Sequence, residues 1–208
     1  MTALPELPPA AFARQDNGDD LDFYAPPRLV THIDETATAA LTRYYVETIP
    51  PEAVVLDLMS SWVSHLPADL STREVIGHGM NATELDANPR LDRWFIQNLN
   101  RDPVLPLSDA AIDAVLCCVG VQYLTRPLEV FAEVRRILRP GGRVIVSFSN
   151  RCFPMKAVRI WSALDEAGRA SLVATYLERS GFASIAAYLL ADGKVGDPLV
   201  VVAGAKQG

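Results

Sequence analysis

The stretch that most constrains this chain is Val54-Val55-Leu56-Asp57-Leu58-Met59-Ser60-Ser61-Trp62, a branched apolar run that carries a carboxylate near its end and then breaks into small hydroxyl residues. A strand of that composition lacks polar alternation. Only a strand covered on both faces can do without it, so the run predicts an interior strand of a parallel sheet. In open α/β sheets ligands bind beyond the carboxyl ends of the strands, which makes Asp57 to Trp62 the expected floor of a site. The glycines of a phosphate-binding turn are missing. Met59-Ser60-Ser61-Trp62 in their place argues against close backbone approach to a pyrophosphate and is compatible with an adenosine-type ligand without phosphates.

Downstream, Arg73 to Gly79 predicts a second strand, and Asn81-Ala82-Thr83-Glu84 reads as a helix start with Asn81 as its cap. Trp94 to Gln97, Ala111 to Cys118 and Arg143 to Phe148 are the next three strands. Thr125 to Leu138 is a helix opened by Pro127, with glutamates toward its positive end and arginines toward its negative end, and it stops at Pro140-Gly141-Gly142. A helical stretch runs from Pro154 to near Ser180, and Phe182 to Leu190 and Leu199 to Ala205 close the chain as two strands. The alternation predicts a doubly wound, seven-stranded α/β sheet with an antiparallel last strand. Ahead of it, Leu29, Ile33, Ala37, Leu41 and Tyr44 recur at helical spacing after Pro27. They predict a leading helix over 27–48, lying across the carboxyl ends of the strands and lending Arg28 and His32 to the site. Residues 1–20, with Pro5, Pro8, Pro9, Gly18 and an Asp cluster, are expected to be a flexible tail, and 21–208 a single domain.

The formal net charge of -6, with no run of Lys or Arg, removes the electrostatic footprint of a nucleic-acid binder. The amino terminus has neither a basic start nor a continuous apolar segment, so no membrane association is expected and the expected location is cytoplasmic. Cys117, Cys118 and Cys152 lack metal-ligand spacing, as does every His/Asp/Glu set, so no metal is expected.

The string Leu128 to Gly142, ending Arg136-Ile137-Leu138-Arg139-Pro140-Gly141-Gly142, resembles the class I S-adenosylmethionine-dependent methyltransferases. So do Val55-Leu56-Asp57, Leu105-Pro106-Leu107 before Ile112 to Val115, and the hairpin after Gly181-Phe182, all in the family's order. The resemblance covers about residues 50 to 206 and is narrower around Ser60 to Pro67, Gly79 to Asn81 and Ser147 to Arg151, which look like a methyltransferase-like group of photosynthetic organisms. It implies S-adenosylmethionine as cofactor and methyl transfer to a small-molecule or peptide-like acceptor; the alternative is a catalytically weak or inactive binding or regulatory module. It also assigns the methionine portion of the cofactor to Asp57 and to Met59, Ser60, Ser61 and Trp62. The second strand ends on Gly79 where the family has an acid for the ribose, leaving Asn81 or Glu84 to serve there, with Met80 beside them among the cofactor-binding residues. Asn98 and Leu99 fall beside the adenine, with the Asn98 oxygen expected to accept the adenine amino proton, and Cys118 ends the fourth strand. His32 and His65 are the candidate bases, Trp62 and Tyr123 the aromatic faces for a sulfonium, and Arg28, Asn150 and Arg151 the candidate acceptor ligands. Each also has a purely structural reading, as core filler, helix-start residue or solvated loop.

Overall fold

The computed structural model describes Leu4 and residues 7–208. Seven strands form one sheet in the order β3-β2-β1-β4-β5-β7-β6. They are β1 (Ala53–Leu58), β2 (Thr72–Gly79), β3 (Arg93–Ile96), β4 (Ile112–Cys118), β5 (Leu138–Phe148), β6 (Ala183–Ala191) and β7 (Leu199–Ala205). β1 pairs in parallel with both β2 and β4, and β7 runs antiparallel between β5 and β6. The expected sheet and its reversed last strand are therefore present.

Among the described residues six α-helices accompany the sheet: α1 (Asp20–Tyr24), α2 (Glu35–Thr48), α3 (Ala82–Asp86), α4 (Pro127–Ile137), α5 (Arg159–Ala163) and α6 (Glu166–Arg179). Strand alternation sends Leu56, Leu58, Val144 and Val146 to one face, where they pack with Phe131 and Val134 of α4 and Val173 and Leu177 of α6. Val55, Ala114, Leu116, Ile145 and Val201 face the other way, onto Ala37, Leu41 and Tyr45 of α2. β1 is buried along its whole length, which is why it carries no polar alternation.

Two expectations fail at the amino-terminal side. The helix predicted over 27–48 begins only at Glu35, because Asp34 caps it by accepting from the Ala37 N–H at 2.9 Å. Consecutive prolines 26 and 27 keep the preceding chain extended, and Leu29 is left 55% exposed. The helix lies against a sheet face. The strand ends are instead covered by α1 and by residues 25–34. The predicted flexible tail is also corrected where it is described. Pro9–Phe12 forms a 3-10 turn, and Arg14 and Asp20 are buried together, the latter 4% exposed. Charge pairing adds to the apolar contacts of Leu4, Leu7 and Phe12 with the core. Met1 to Ala3, Pro5 and Glu6 lie outside the described residues.

Candidate active site

The floor forms where β1 turns at Met59, whose φ of 60° is the left-handed conformation normally given to glycine. The Met59 N–H donates to His78 Nδ1 at 3.0 Å, and His78 Nε2 donates to the Gln97 carbonyl at 3.0 Å. With both ring nitrogens committed and burial pushing its pKa down to about 4, His78 is a neutral strut tying the turn to β2 and to the end of β3. Room for the turn comes from neighbouring strands. A Cβ on Gly79 would lie 2.6 Å from the Ser60 carbonyl oxygen, and one on Gly120 would lie 2.9 Å from Met59 Cβ. The glycines absent from the turn itself stand on either side of it.

Gly79 is thus a packing requirement, and any side chain introduced there would meet the Ser60 carbonyl oxygen. Gly79→Ala is expected to force Ser60 out of position, costing about 1–3 kcal/mol in chemical denaturation and most of the affinity for a cofactor-like ligand. Unchanged unfolding and binding would show that the turn tolerates displacement.

The hydroxyls after the turn are laced inward. Ser60 Oγ donates to Asp57 Oδ2 at 2.6 Å, and Ser61 Oγ donates to Glu84 Oε2 at 2.6 Å. Glu84 also accepts from the Arg28 N–H at 2.7 Å. Asn81 accepts from the Glu84 N–H at the start of α3 and donates to the Tyr24 and Ala25 carbonyls, both at 2.9 Å. Asn88 donates to the Ser61 carbonyl and to Ser64 Oγ, and Trp62 Nε1 donates to the Val30 carbonyl. Ser60 to Ser64 therefore fastens the covering segment onto the strand ends.

One wall of that cover is ionic. Arg14 Nη1 donates to both oxygens of Asp20, at 2.7 and 2.9 Å, and Lys156, 1% exposed, reaches Asp20 Oδ1 at 3.1 Å and Asp16 Oδ2 at 3.0 Å. Another wall is aromatic. Phe153 contacts the rings of Tyr24, Tyr123 and His32, with centroids 6.1–6.3 Å away.

These elements enclose a cavity of about 280 Å³ beyond the ends of β1, β2 and β4. Of the residues singled out from sequence, His32, Met59, Ser60, Ser61, Gly79, Met80, Asn81, Asn98, Leu99, Cys118, Tyr123 and Arg151 line it. Asp57 lies just beneath, 3% exposed, and burial pushes its carboxyl up to about 6 against the opposing hydrogen bonds of Ser60 and Ser64.

Besides Asp57, four expected residues are not in the lining. Trp62 is spent on the Val30 carbonyl rather than facing a sulfonium. The Arg28 guanidinium lies over the Phe23 ring at 4.7 Å and donates to the Phe23 carbonyl, bracing the cover instead of meeting an acceptor. Asn150 accepts from Ser149 Oγ on an exposed loop. His65 is buried behind the turn with φ 54°, and burial lowers its pKa to about 4. His32 differs from it. Its ring makes no hydrogen bond among the described residues and lines the cavity, and burial lowers its pKa, so it is neutral and open at physiological pH.

Two of the lining residues carry further detail. Asn98 Oδ1 already accepts from the Asn100 N–H at 3.0 Å, with its second lone pair and the amide nitrogen left for a ligand. The Tyr123 hydroxyl accepts from the Phe153 N–H at 2.8 Å, and burial pushes its pKa up to about 12, so its ring stands as a fixed, uncharged wall of the cavity. Arg14, Asp20, Tyr24 and Phe153 were missed because the first two fall in the presumed tail and the other two carry no local motif. Among the described residues no group of three or more His, Cys, Asp or Glu is arranged to hold a metal ion, and no helix is long and apolar enough to cross a membrane.

Residues 64–146 match a family described as "Methyltransferase domain". The chain is 29% identical over 129 residues to the ubiquinone/menaquinone biosynthesis C-methyltransferase UbiE of Dinoroseobacter shibae, across 61% of this chain and 45% of that protein. It is 33% identical over 61 residues to the malonyl-[acyl-carrier protein] O-methyltransferase of a Marinomonas strain, across 29% of this chain and 23% of that protein. The chain thus spans less than half the length of these curated relatives. A Thermotoga maritima S-adenosylmethionine-dependent methyltransferase, described as a possible histamine N-methyltransferase, superposes with a TM-score of 0.59 at 17% identity, covering 83% of this chain and 91% of that one. The fold is therefore that of an S-adenosylmethionine-dependent methyltransferase, and residues 64–146, less than half of the chain, match the methyltransferase domain family.

Proposed function

We propose that this protein is an S-adenosylmethionine-dependent methyltransferase acting on a small-molecule or peptide-like acceptor in the cytoplasm, with no nucleic-acid partner. The observation that carries the reading is the cavity at the ends of β1, β2 and β4, where the turn, the β2 end and Asn98-Leu99 meet a neutral histidine that makes no hydrogen bond among the described residues. The residues suit the cofactor. Asp57 and the Met59 to Ser61 turn would hold its methionine portion, Met80 and the Glu84 carboxylate its ribose, and Asn98 Nδ2 with the apolar Leu99 its adenine.

S-adenosylmethionine, when bound, supplies an electrophilic methyl group. The chain's own part is to orient, to exclude water and to accept a proton. His32 is the group placed for that last task, being uncharged and free on the cavity side. Burial pushes the Cys118 thiol up to about 12, so it stays protonated and does not compete as a nucleophile. The named relatives carry out C- and O-methylation, so the acceptor does not transfer from them. The narrower likeness to the group of photosynthetic organisms belongs to the same proposal.

Calorimetric titration with S-adenosylhomocysteine tests it, with one site per chain expected. No heat and no thermal shift at millimolar ligand would overturn the reading. Binding without methyl transfer to any O-, S-, N- or C-acceptor in a broad panel would favour the binding-module alternative.

A further inference from the structure

Resting on the reading above, the charge inventory of the cavity narrows the acceptor. Two carboxylates line the wall, and both are committed. Asp20 takes Arg14, Lys156 and Asn100 Nδ2, the last at 3.1 Å, and Glu84 takes the Arg28 N–H and the Ser61 hydroxyl. With the remaining lone pairs of Glu84 given to the cofactor's ribose and Asp20 to its cations, an ammonium acceptor would find no open acid there.

Donors, by contrast, are in surplus. Arg14 Nε is buried without a partner. Arg151 is held from behind through Nε, 2.6 Å from Asp197 Oδ2, and neither of its Nη atoms makes a hydrogen bond among the described residues. The cofactor brings one carboxylate, so at least one of the two guanidiniums is left over.

Arg151 is the one placed for the acceptor. It follows β5, lines the cavity and stands two residues before Phe153, the ring that touches Tyr24, Tyr123 and His32. Its side chain is 59% exposed, so it sits at the mouth. The carboxylates behind it are fixed in place by backbone donors. Asp197 Oδ2 accepts from the Asp34 N–H at 3.0 Å, and Asp34 accepts from the Asp197 and Ala37 N–H groups, the latter in the first turn of α2. This clasp fixes the guanidinium plane while its outer fork stays available for two parallel N–H···O bonds.

We propose that the outer part of the cavity is an acceptor subsite for a small planar molecule carrying a carboxylate, with Arg151 binding the carboxylate and Phe153, Tyr24 and Tyr123 packing the ring. The test uses benzoate, benzamide, benzylamine and acetate as probes, titrated by calorimetry into the full-length protein with and without saturating S-adenosylhomocysteine. Benzoate is expected to bind at least ten-fold more tightly than benzamide, with benzylamine and acetate weaker again. Arg151→Gln is expected to erase the benzoate advantage while shifting benzamide less than two-fold. Arg151→Lys, which keeps the charge but not the fork, should retain only part of it.

Equal binding of benzoate and benzamide, a preference for benzylamine, or no binding of any probe at millimolar concentration would overturn the subsite. So would a benzoate advantage that survives Arg151→Gln. The two readings fail separately. A benzoate preference in a protein that does not bind S-adenosylhomocysteine would keep the subsite and sink the cofactor, and the reverse pattern would sink the subsite alone.

Discussion

Asp20→Ala is expected to lower the unfolding free energy by about 3–5 kcal/mol, because it leaves two buried cations without their shared counter-ion. Arg14 would lose both of its carboxylate bonds, and Lys156 would keep only Asp16 and the Gly18 carbonyl, each at 3.0 Å. Burial alone would push the Asp20 carboxyl up, but hydrogen bonds from Arg14 and Asn100 and the Arg14 charge outweigh it and hold its pKa below 3.8. A depressed folded pKa contributes stability that is complete above 3.8 and drains away as pH falls through the folded value. The Asp20→Ala deficit should therefore be full at pH 7 and shrink in acid. Because Arg14, Tyr24 and His32 all come from the segment that Asp20 anchors, affinity for S-adenosylhomocysteine should fall with stability. Urea denaturation from pH 3 to 8 reads the first effect and calorimetry the second. A loss under 1 kcal/mol at pH 7 would mean that the amino-terminal segment is not held by this cluster.

That segment is also where sequence reasoning reached its limit. β1 was legible because an interior parallel strand has a composition nothing else needs, and α4 because Pro127, its charge gradient and the glycines that follow all agree. The cover over the strand ends has no such local signature. Its fastenings join residues far apart in the chain: Asn81 to the Tyr24 carbonyl across 57 positions, Glu84 to the Arg28 N–H across 56, and Trp62 to the Val30 carbonyl across 32. Each is a single side chain meeting a backbone group, a kind of contact that leaves no period behind. Leu29 and Ile33 did fit a helical period, yet Pro26-Pro27 and the Asp34 cap were the stronger local instructions. His78 shows the same division. The sequence places it in the strand from Arg73 to Gly79, whereas its use as the strut of the Met59 turn depends on Gln97, nineteen residues away.

The Ser-Ser-Trp motif gains a physical reason from these contacts. A glycine-rich turn would leave its backbone N–H groups open to a ligand. Here the turn gives the Met59 N–H to His78 Nδ1 and the Ser60 N–H to the His78 carbonyl, the second at 2.6 Å. What remains for a ligand is side-chain chemistry, principally the carboxylates of Asp57 and Glu84 and the amide of Asn98. Cofactor affinity should then depend on protonation more steeply than it would at a site built from backbone donors.

Asp57 makes that dependence measurable. Its carboxyl is enclosed by Ser60 and Ser64, with Tyr45 of α2 and Cys117 and Cys118 of β4 as its titratable neighbours, and desolvation sets its pKa at about 6. The sign follows from proton binding. Between about 4 and 6 the folded state keeps a proton that the unfolded chain has released, so stability is greatest below the unfolded value and falls as pH rises through this window. It levels off above it, for a total of about 3 kcal/mol. Asp57→Asn should remove the slope and leave the protein more stable at pH 7 by up to about 3 kcal/mol. Binding should move the opposite way. The α-ammonium of the amino-acid end favours ionised Asp57, so wild-type affinity for S-adenosylhomocysteine should climb toward ten-fold per pH unit below 6 and flatten above it, whereas Asp57→Asn should bind weakly at every pH. A variant that gains stability while losing a ligand is the signature of a buried charge kept for function. A wild-type binding profile flat from pH 5 to 8, or an Asp57→Asn protein no more stable than wild type at pH 7, would place the titrating group elsewhere.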